Sequence, residues 1–275
     1  MLTDYHVHLR TDDHDSTPER FFTTANAERY RETAEQRGIA ELGVAEHIYR
    51  FRQSLEVWDH DFWRGYAVDD LDAYCAFVRD ETDLRLGIEA DFVPGREERM
   101  RSLLDQREWD YVVGSVHFLG DRSLDTEEFS VWESFDSPER IWRRYFETLG
   151  EAAQSGLFDI LAHPDLVKVW GRDRPRPDGD LRRFYYVAME MIADTDIALE
   201  VSTAGWRKPV GQIYPDPAFI EMAVDAGTPL ALSSDAHEPD HLGYRYDDAV
   251  KLLESLGVSE IAVFDKRTRS MEPLG

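Results

Sequence analysis

Short apolar runs rich in β-forming residues alternate along most of this chain with amphipathic segments. Seven such runs predict strands, at residues 3–8, 41–47, 84–90, 111–117, 159–164, 197–203 and 229–237. Helix-like stretches lie between them, the clearest at residues 18–38, 137–156, 216–227 and 248–257. Strand and helix in regular alternation are typical of parallel strands joined by crossover helices, which predicts a barrel or a doubly wound sheet.

Local signals at the helix ends support this pattern. Ser137 is a predicted N-cap with Pro138 at the first helical position, and Gly38 and Gly156 are predicted to end their helices. Two longer segments, 50–82 and 119–136, interrupt the alternation. Segments of this length after strands commonly shape a substrate mouth, although covering an exposed edge of the core is the competing interpretation.

The histidines follow the predicted strands closely. The pair His6 and His8 is weak evidence alone, because nine histidines in 275 residues give about 275 × (9/275)², or roughly 0.3, chance occurrences of H-x-H. Seven of the nine, however, lie at or just after a strand end: His6, His8, His14, His47, His117, His163 and His237. The carboxyl ends of barrel strands converge at one mouth, so these imidazoles are predicted to meet there.

Two carboxylates join this set, Glu89 at the end of the third predicted strand and Asp235 at the end of the seventh. Residues i and i+2 of a strand point to the same side, so His6 and His8 can together bind one ion. Asp235 and His237 have the same spacing. His60 and His241 fall in loops and are expected to be surface residues.

Nine such donors are too many for one metal ion of the zinc class, which accepts about four to six. The set therefore predicts two or three divalent ions, and its many nitrogen donors favour zinc, iron or manganese over calcium or magnesium. Such a centre attracts a small anionic group, activates a water molecule and neutralises phosphoryl oxygens. Hydrolysis of a phosphate ester is the leading hypothesis.

Composition excludes several other classes. A net charge of −25 argues against nucleic-acid binding, because nucleic-acid binders display a basic face to the phosphates. The single cysteine, Cys75, excludes an internal disulfide and a cysteine metal cage, and is expected to be a buried or half-buried side chain. No apolar run is long enough for a membrane helix, and no leader is visible, so a cytoplasmic, single-domain protein (1–275) that neither enters nor binds a membrane is expected.

With these motifs in view, the chain resembles the PHP (polymerase and histidinol phosphatase) superfamily. The first motif is "HVH" followed by His14, and the others, in chain order, are "GVAEHI", "GIEADFVPG", "DYVVGSVHFLG", "FDILAHPDLVKVWG" and "LSSDAH". Together with "LEVSTAGWRKPVGQIYP", several resemble the histidinol-phosphatase branch specifically. One departure is Glu46, where many relatives have aspartate. The resemblance implies a distorted (β/α)₇ TIM-like barrel of the PHP type.

The resemblance also implies an arrangement of ions. His6, His8, Glu89 and Asp235 would hold the first, Glu89 would bridge to a second held by His117 and His163, and His14, His47 and His237 would hold a third. Glu89, Asp235 and His237 are the expected catalytic residues. The implied reaction is hydrolysis of L-histidinol phosphate to L-histidinol and phosphate in histidine biosynthesis.

Three basic residues are candidates for binding this small phosphorylated substrate. Arg207 is the first, because a guanidinium binds phosphate in a bidentate manner, followed by Lys208 and Lys168. Solvated loop charges are the competing interpretation. The sequence leaves the oligomeric state and the general acid open.

Rival functions remain at this stage. A PHP phosphoesterase acting on another small phosphate ester would carry the same metal motifs. A non-catalytic metal-binding or polymerase-accessory module disagrees with the acidic charge. A metal-dependent amidohydrolase usually has a carbamylated lysine as a metal ligand, and no lysine falls at a predicted strand end.

Overall fold

In the computed structural model, which describes residues 1–12, 17–135 and 137–275, seven parallel strands form a nearly closed barrel. Neighbouring strands follow chain order from β1 to β7, and their bounds are β1 Leu2–Asp4, β2 Ile39–His47, β3 Arg85–Asp91, β4 Tyr111–Ser115, β5 Ile160–Leu161, β6 Ala198–Ser202 and β7 Leu230–Ser233. The predicted seven-stranded α/β barrel is confirmed, and each predicted strand overlaps an observed one.

The ring is completed just beyond β1 and β7. The amide of His8 donates to the oxygen of Ala236 at 2.7 Å, and the amide of Ala45 donates to the oxygen of Val7 at 2.8 Å. The segment that carries His6 and His8 therefore lies between β2 and the segment that carries Asp235 and His237. This closure brings the first and last histidine motifs side by side.

Helices surround the barrel, with bounds α1 Pro18–Phe21, α2 Thr24–Gln36, α3 Asp61–Tyr66, α4 Leu71–Glu81, α5 Glu97–Leu104, α6 Pro138–Gln154, α7 Arg182–Ile192, α8 Pro217–Asp225 and α9 Tyr246–Ser255. Ser137 caps α6 as predicted, accepting from the amide of Arg140 at 3.4 Å. The single helix expected over 18–38 is instead two, because Thr23 is extended and caps α2 through the amide of Asn26. No helix in the described ranges is long and apolar enough to cross a membrane.

The barrel interior is filled by a few large side chains packed against small residues. The ring of Tyr111 lies directly against Gly43 and Gly87 of the neighbouring strands, where an added Cβ would overlap it. A C-terminal hairpin, β8 Glu260–Asp265 and β9 Thr268–Pro273, covers the amino-terminal end of the barrel. The amide of Arg267 in the turn of this hairpin donates to the oxygen of Asp110, the residue before β4, at 2.8 Å. The histidines lie at the opposite, carboxyl end of the strands.

The segment 50–82 serves both of its predicted purposes. It buries large rings, among them Phe51 and Trp63, against the core. Its helix α3 also places Phe62 and Tyr66 on the wall of the cavity at the carboxyl end of the barrel. The 119–136 segment begins with a short hairpin, Phe118–Leu119 with Arg122–Ser123, and contributes Asp125 to the same wall.

Candidate metal centre and its cavity

Six of the seven predicted histidines and both predicted acids meet at the carboxyl end of the barrel. Glu89 stands at the centre of the group. Its Oε1 lies 3.2 Å from His163 Nε2 and 3.4 Å from His117 Nε2. Its Oε2 faces the other side, 3.4 Å from His6 Nε2 and 3.6 Å from His8 Nε2, and also contacts His47 Nδ1.

Asp235 and His237 complete the second side of the cluster. Asp235 Oδ1 lies 3.5 Å from His8 Nε2 and 3.7 Å from His6 Nε2. The ring of His237 stacks on that of His8 with centroids 4.2 Å apart. His14, the remaining predicted ligand, lies outside the described residues, and its role stays a prediction.

Three groups of donor atoms in the described chain are close enough to share an ion: His6, His8 and Asp235; His6, Glu89 and His163; and His8, His47 and His237. These groups share His6 and His8, which the resemblance had assigned to the first ion alone. His117 contacts Glu89 but belongs to none of the three groups. The geometry thus offers three overlapping groups of donor atoms to adjacent ions.

The chemistry of the donors fits cations. Among the described residues, several buried nitrogen and oxygen atoms of the cluster make no hydrogen bond of normal geometry, although some of them contact another member of the site: His6 Nε2, His8 Nε2, His47 Nδ1, His237 Nε2 and Glu89 Oε2. Leaving so many polar atoms unpaired is costly unless something binds them. Burial opposes protonation of His6, yet Glu200, Glu89 and Asp235 raise its pKa well above the usual value. Burial likewise opposes protonation of His117, yet Glu89 and Asp91 raise its pKa to about 10. The cluster therefore attracts positive charge.

Backbone strain is concentrated at two of these residues. His163 has φ of 26° and Asp235 has φ of 48°, in the left-handed region that non-glycine residues rarely adopt. Such conformations persist where the surrounding structure holds them, and they cluster at functional sites.

Three further carboxylates lie behind the histidines without having been assigned a role from the sequence, and two of them contact an imidazole nitrogen directly. Glu200 Oε1 lies 2.8 Å from His6 Nδ1, and Asp91 Oδ1 lies 2.8 Å from His117 Nδ1. Each carboxylate accepts the Nδ1 proton and leaves Nε2 free to bind a metal ion. The sequence signal for Glu200 is an acidic residue in the middle of an otherwise apolar strand, "LEVS".

Glu46 is the third of these carboxylates. It accepts from the amides of Leu9 and Arg10 at 2.7 and 3.2 Å, and from Arg50 at 3.0 Å. Burial opposes its ionisation, but His8 and Arg50 lower its pKa to about 2. Glu46 thus anchors the segment after the H-x-H pair to β2.

A cavity of about 250 Å³ opens above the cluster. Glu89, Asp235 and four of the histidines line its floor, and an aromatic wall formed by Tyr49, Phe62, Tyr66, Phe118 and Trp170 borders it. The sequence analysis had not assigned this wall or the acids Asp12 and Asp125 that accompany it. Asp12 Oδ1 lies 3.1 Å from His237 Nε2 and accepts from Arg50 at 2.9 Å.

The three basic residues predicted to bind substrate lie in different environments. Lys208 lines the cavity. Arg207 lies beside it and donates to the main-chain oxygens of Ser234 and Asp235, so it supports the strained turn at Asp235. Lys168 is wholly buried, 2.6 Å from Asp165 and 2.8 Å from the oxygen of Ile213. The structure contradicts substrate binding by Lys168, because its charge is neutralised within the protein.

Comparison with known proteins agrees with this geometry. The PHP domain model matches residues 4–204. The chain therefore belongs to the PHP domain family. A probable histidinol-phosphatase from Deinococcus radiodurans is 35% identical over 269 residues, covering 95% of this chain and 98% of that protein. The histidinol-phosphatase of Lactococcus lactis is 21% identical, with 98% of each chain covered.

Solved structures give the same fold. The Lactococcus lactis histidinol phosphate phosphatase, crystallised with zinc, L-histidinol and phosphate, superposes with a TM-score of 0.72 at 18% identity over 98% of both chains. A histidinol phosphatase structure from Listeria monocytogenes superposes with a TM-score of 0.68 at 20% identity, covering 81% of this chain and 93% of that one.

Proposed function

We propose that this protein is a metal-dependent phosphatase that hydrolyses L-histidinol phosphate to L-histidinol and phosphate. The observation that carries the proposal is the buried cluster of imidazoles and two carboxylates, of which Glu89, Asp235 and four histidines line one cavity. The relative that is 35% identical over nearly the whole chain supports the choice of substrate. The continuous barrel core supports a single PHP domain over 1–275.

We assign the metal ligands to His6, His8, His14, His47, Glu89, His117, His163, Asp235 and His237. Two or three divalent ions fit this set, and zinc, found in the Lactococcus lactis enzyme, is the first candidate over iron and manganese. Bound ions would supply an activated water molecule and neutralise charge on the phosphoryl oxygens.

The protein's own residues then have distinct tasks. Glu89 directs its two oxygens to histidines on opposite sides, which suits a bridging carboxylate. Asp235, at the cavity surface, is placed to accept a proton from the attacking water. His237 borders the same space, and Lys208 offers an ammonium to the phosphate. Water would add to phosphorus as one of its protons passes to Asp235, the bond from phosphorus to the alkoxide oxygen would break, and that oxygen would leave as the alcohol by taking one proton from solvent, to which Asp235 returns its own.

The test measures bound metal and phosphate release from histidinol phosphate beside a panel of small phosphate esters. We expect at least a tenfold preference in kcat/KM for histidinol phosphate. Equal values across the panel would leave a general PHP phosphoesterase. Full activity after exhaustive chelation would refute the metal mechanism.

A further inference from the structure

The part of the cavity above the metal cluster carries a charge that the proposed hydrolysis does not use. Its carboxylates are Asp12, Glu89, Asp125 and Asp235. Glu89 and Asp235 belong to the cluster, and Asp12 is bound by Arg50. For Asp125, no cation of residues 1–12, 17–135 or 137–275 lies within ion-pair distance; its Oδ1 accepts only from the Ser123 hydroxyl, at 2.9 Å.

The backbone around Asp125 is held firmly beside the cluster. The amide of the preceding residue, Leu124, donates to the oxygen of His117 at 2.8 Å. The oxygen of Leu124 accepts from the indole of Trp170 at 2.7 Å and from that of Trp132 at 3.4 Å. The Ser123 hydroxyl further accepts from the amide of Asp125 at 3.3 Å. The position of Asp125 is therefore coupled to a predicted metal ligand and to the aromatic wall.

The aromatic wall is itself a preformed surface. The ring of Tyr49 stacks on that of His47 with centroids 4.6 Å apart, and the ring of Phe62 contacts those of Tyr66 and Phe118 at 4.8 and 5.4 Å. Aromatic faces attract cations, and the half-buried carboxylate of Asp125 beside them adds to that preference. An uncharged tail would gain only the apolar contact.

The geometry points to Asp125 as the residue that selects a cationic tail on the phosphate ester. The phosphate would lie at the metal cluster near Lys208, and the ammonium or imidazolium of the alcohol part would lie at Asp125 against the aromatic wall. The site would then bind a molecule that is negative at one end and positive at the other. This inference rests on the proposed function, because it explains how histidinol phosphate is distinguished from other esters.

The experiment compares three esters on the metal-loaded enzyme: histidinol phosphate, O-phosphoethanolamine, which carries only an ammonium, and glycerol 3-phosphate, which carries no cation. The variant is Asp125→Asn, which keeps the acceptor for Ser123 and removes the charge. We expect kcat/KM for the two cationic esters to fall roughly 10–100-fold, mainly through KM, because a hydrogen bond to a charged group is lost. The value for glycerol 3-phosphate should fall less than threefold.

The matched control is Glu128→Gln, an exposed acid of the same segment outside the cavity lining, with an expected change below twofold for every ester. Metal content and melting temperature exclude a folding defect, and Asp125→Glu should restore part of the preference for cationic esters. An equal loss on all three esters, no loss on any, or a wild-type enzyme indifferent to the tail charge would overturn the inference. A wild-type enzyme that prefers O-phosphoethanolamine to histidinol phosphate would overturn the proposed function while leaving the role of Asp125 standing.

Discussion

Replacing Glu200 by glutamine tests whether the carboxylates behind the cluster control metal binding. Glu200 is 1% exposed, and its two oxygens have different partners. Oε2 accepts from the amide of His163 at 2.6 Å, whereas Oε1 lies 2.8 Å from His6 Nδ1 and accepts from Ser233 Oγ at 2.6 Å. A backbone amide can only donate, so the glutamine oxygen must take the Oε2 position. Its NH₂ group then faces His6.

Glu200→Gln therefore changes the tautomer of His6, while the volume of the side chain at position 200 stays almost the same. The glutamine NH₂ donates to His6 Nδ1, and the imidazole proton is driven to Nε2, the atom that faces Glu89 and Asp235. A protonated Nε2 cannot bind a metal ion. Losing a partner of this kind typically lowers metal affinity about 10–100-fold, which corresponds to about 1.4–2.8 kcal/mol.

The assay is competition for zinc between the protein and a chromophoric chelator, with metal content measured after dialysis. Ser233→Ala is the matched control, because it removes another partner of the same oxygen without touching a histidine. We expect Glu200→Gln to bind zinc at least tenfold more weakly than wild type, and Ser233→Ala to stay within threefold. Wild-type zinc affinity in Glu200→Gln would refute the assignment of Glu200 as a positioning residue.

Three other substitutions distinguish a residue of the metal cluster from residues that stabilise the fold. Glu89→Ala should abolish turnover and lower metal content, because both sides of the cluster face this carboxylate; a fully active, metal-replete variant would remove Glu89 from the ligands. Lys168→Met should destabilise the fold by about 3–5 kcal/mol in urea denaturation, because Asp165 is left as a buried, uncompensated charge; unchanged stability would contradict this. Gly114→Ala should cost about 1–3 kcal/mol by the same measurement, since the new Cβ overlaps the ring of Phe158; a wild-type midpoint would show that the ring moves freely.

The barrel could be predicted because its signals are local and repeated. Each strand is an apolar run, and the caps at Ser137 and Gly156 follow from residue chemistry that needs no tertiary context. The C-terminal hairpin was not predicted. Its two strands pair with each other and cover one end of the barrel, so they do not follow the alternation of strand and helix that marks the barrel itself. The break at Thr23 was also missed, since a threonine inside a helical pattern becomes a cap only when the chain must turn there.

The same distinction between local pattern and tertiary packing applies to the residues of the site. The meeting of His6 and Asp235 was predictable because a parallel barrel brings every strand end to one mouth, so position along the chain implies position in space. Lys168 was a candidate only as a basic residue in the motif that follows the fifth strand, and it turns inward to Asp165, because a long side chain can bind a buried carboxylate as readily as a substrate. Asp125 lies in a segment with no periodicity, and its position depends on main-chain hydrogen bonds of the preceding residue, Leu124, with Trp170 and His117 that no local pattern encodes. Strand topology therefore predicts where the imidazoles and carboxylates meet, whereas loop packing forms the cavity wall beside them, and only the structure shows that packing.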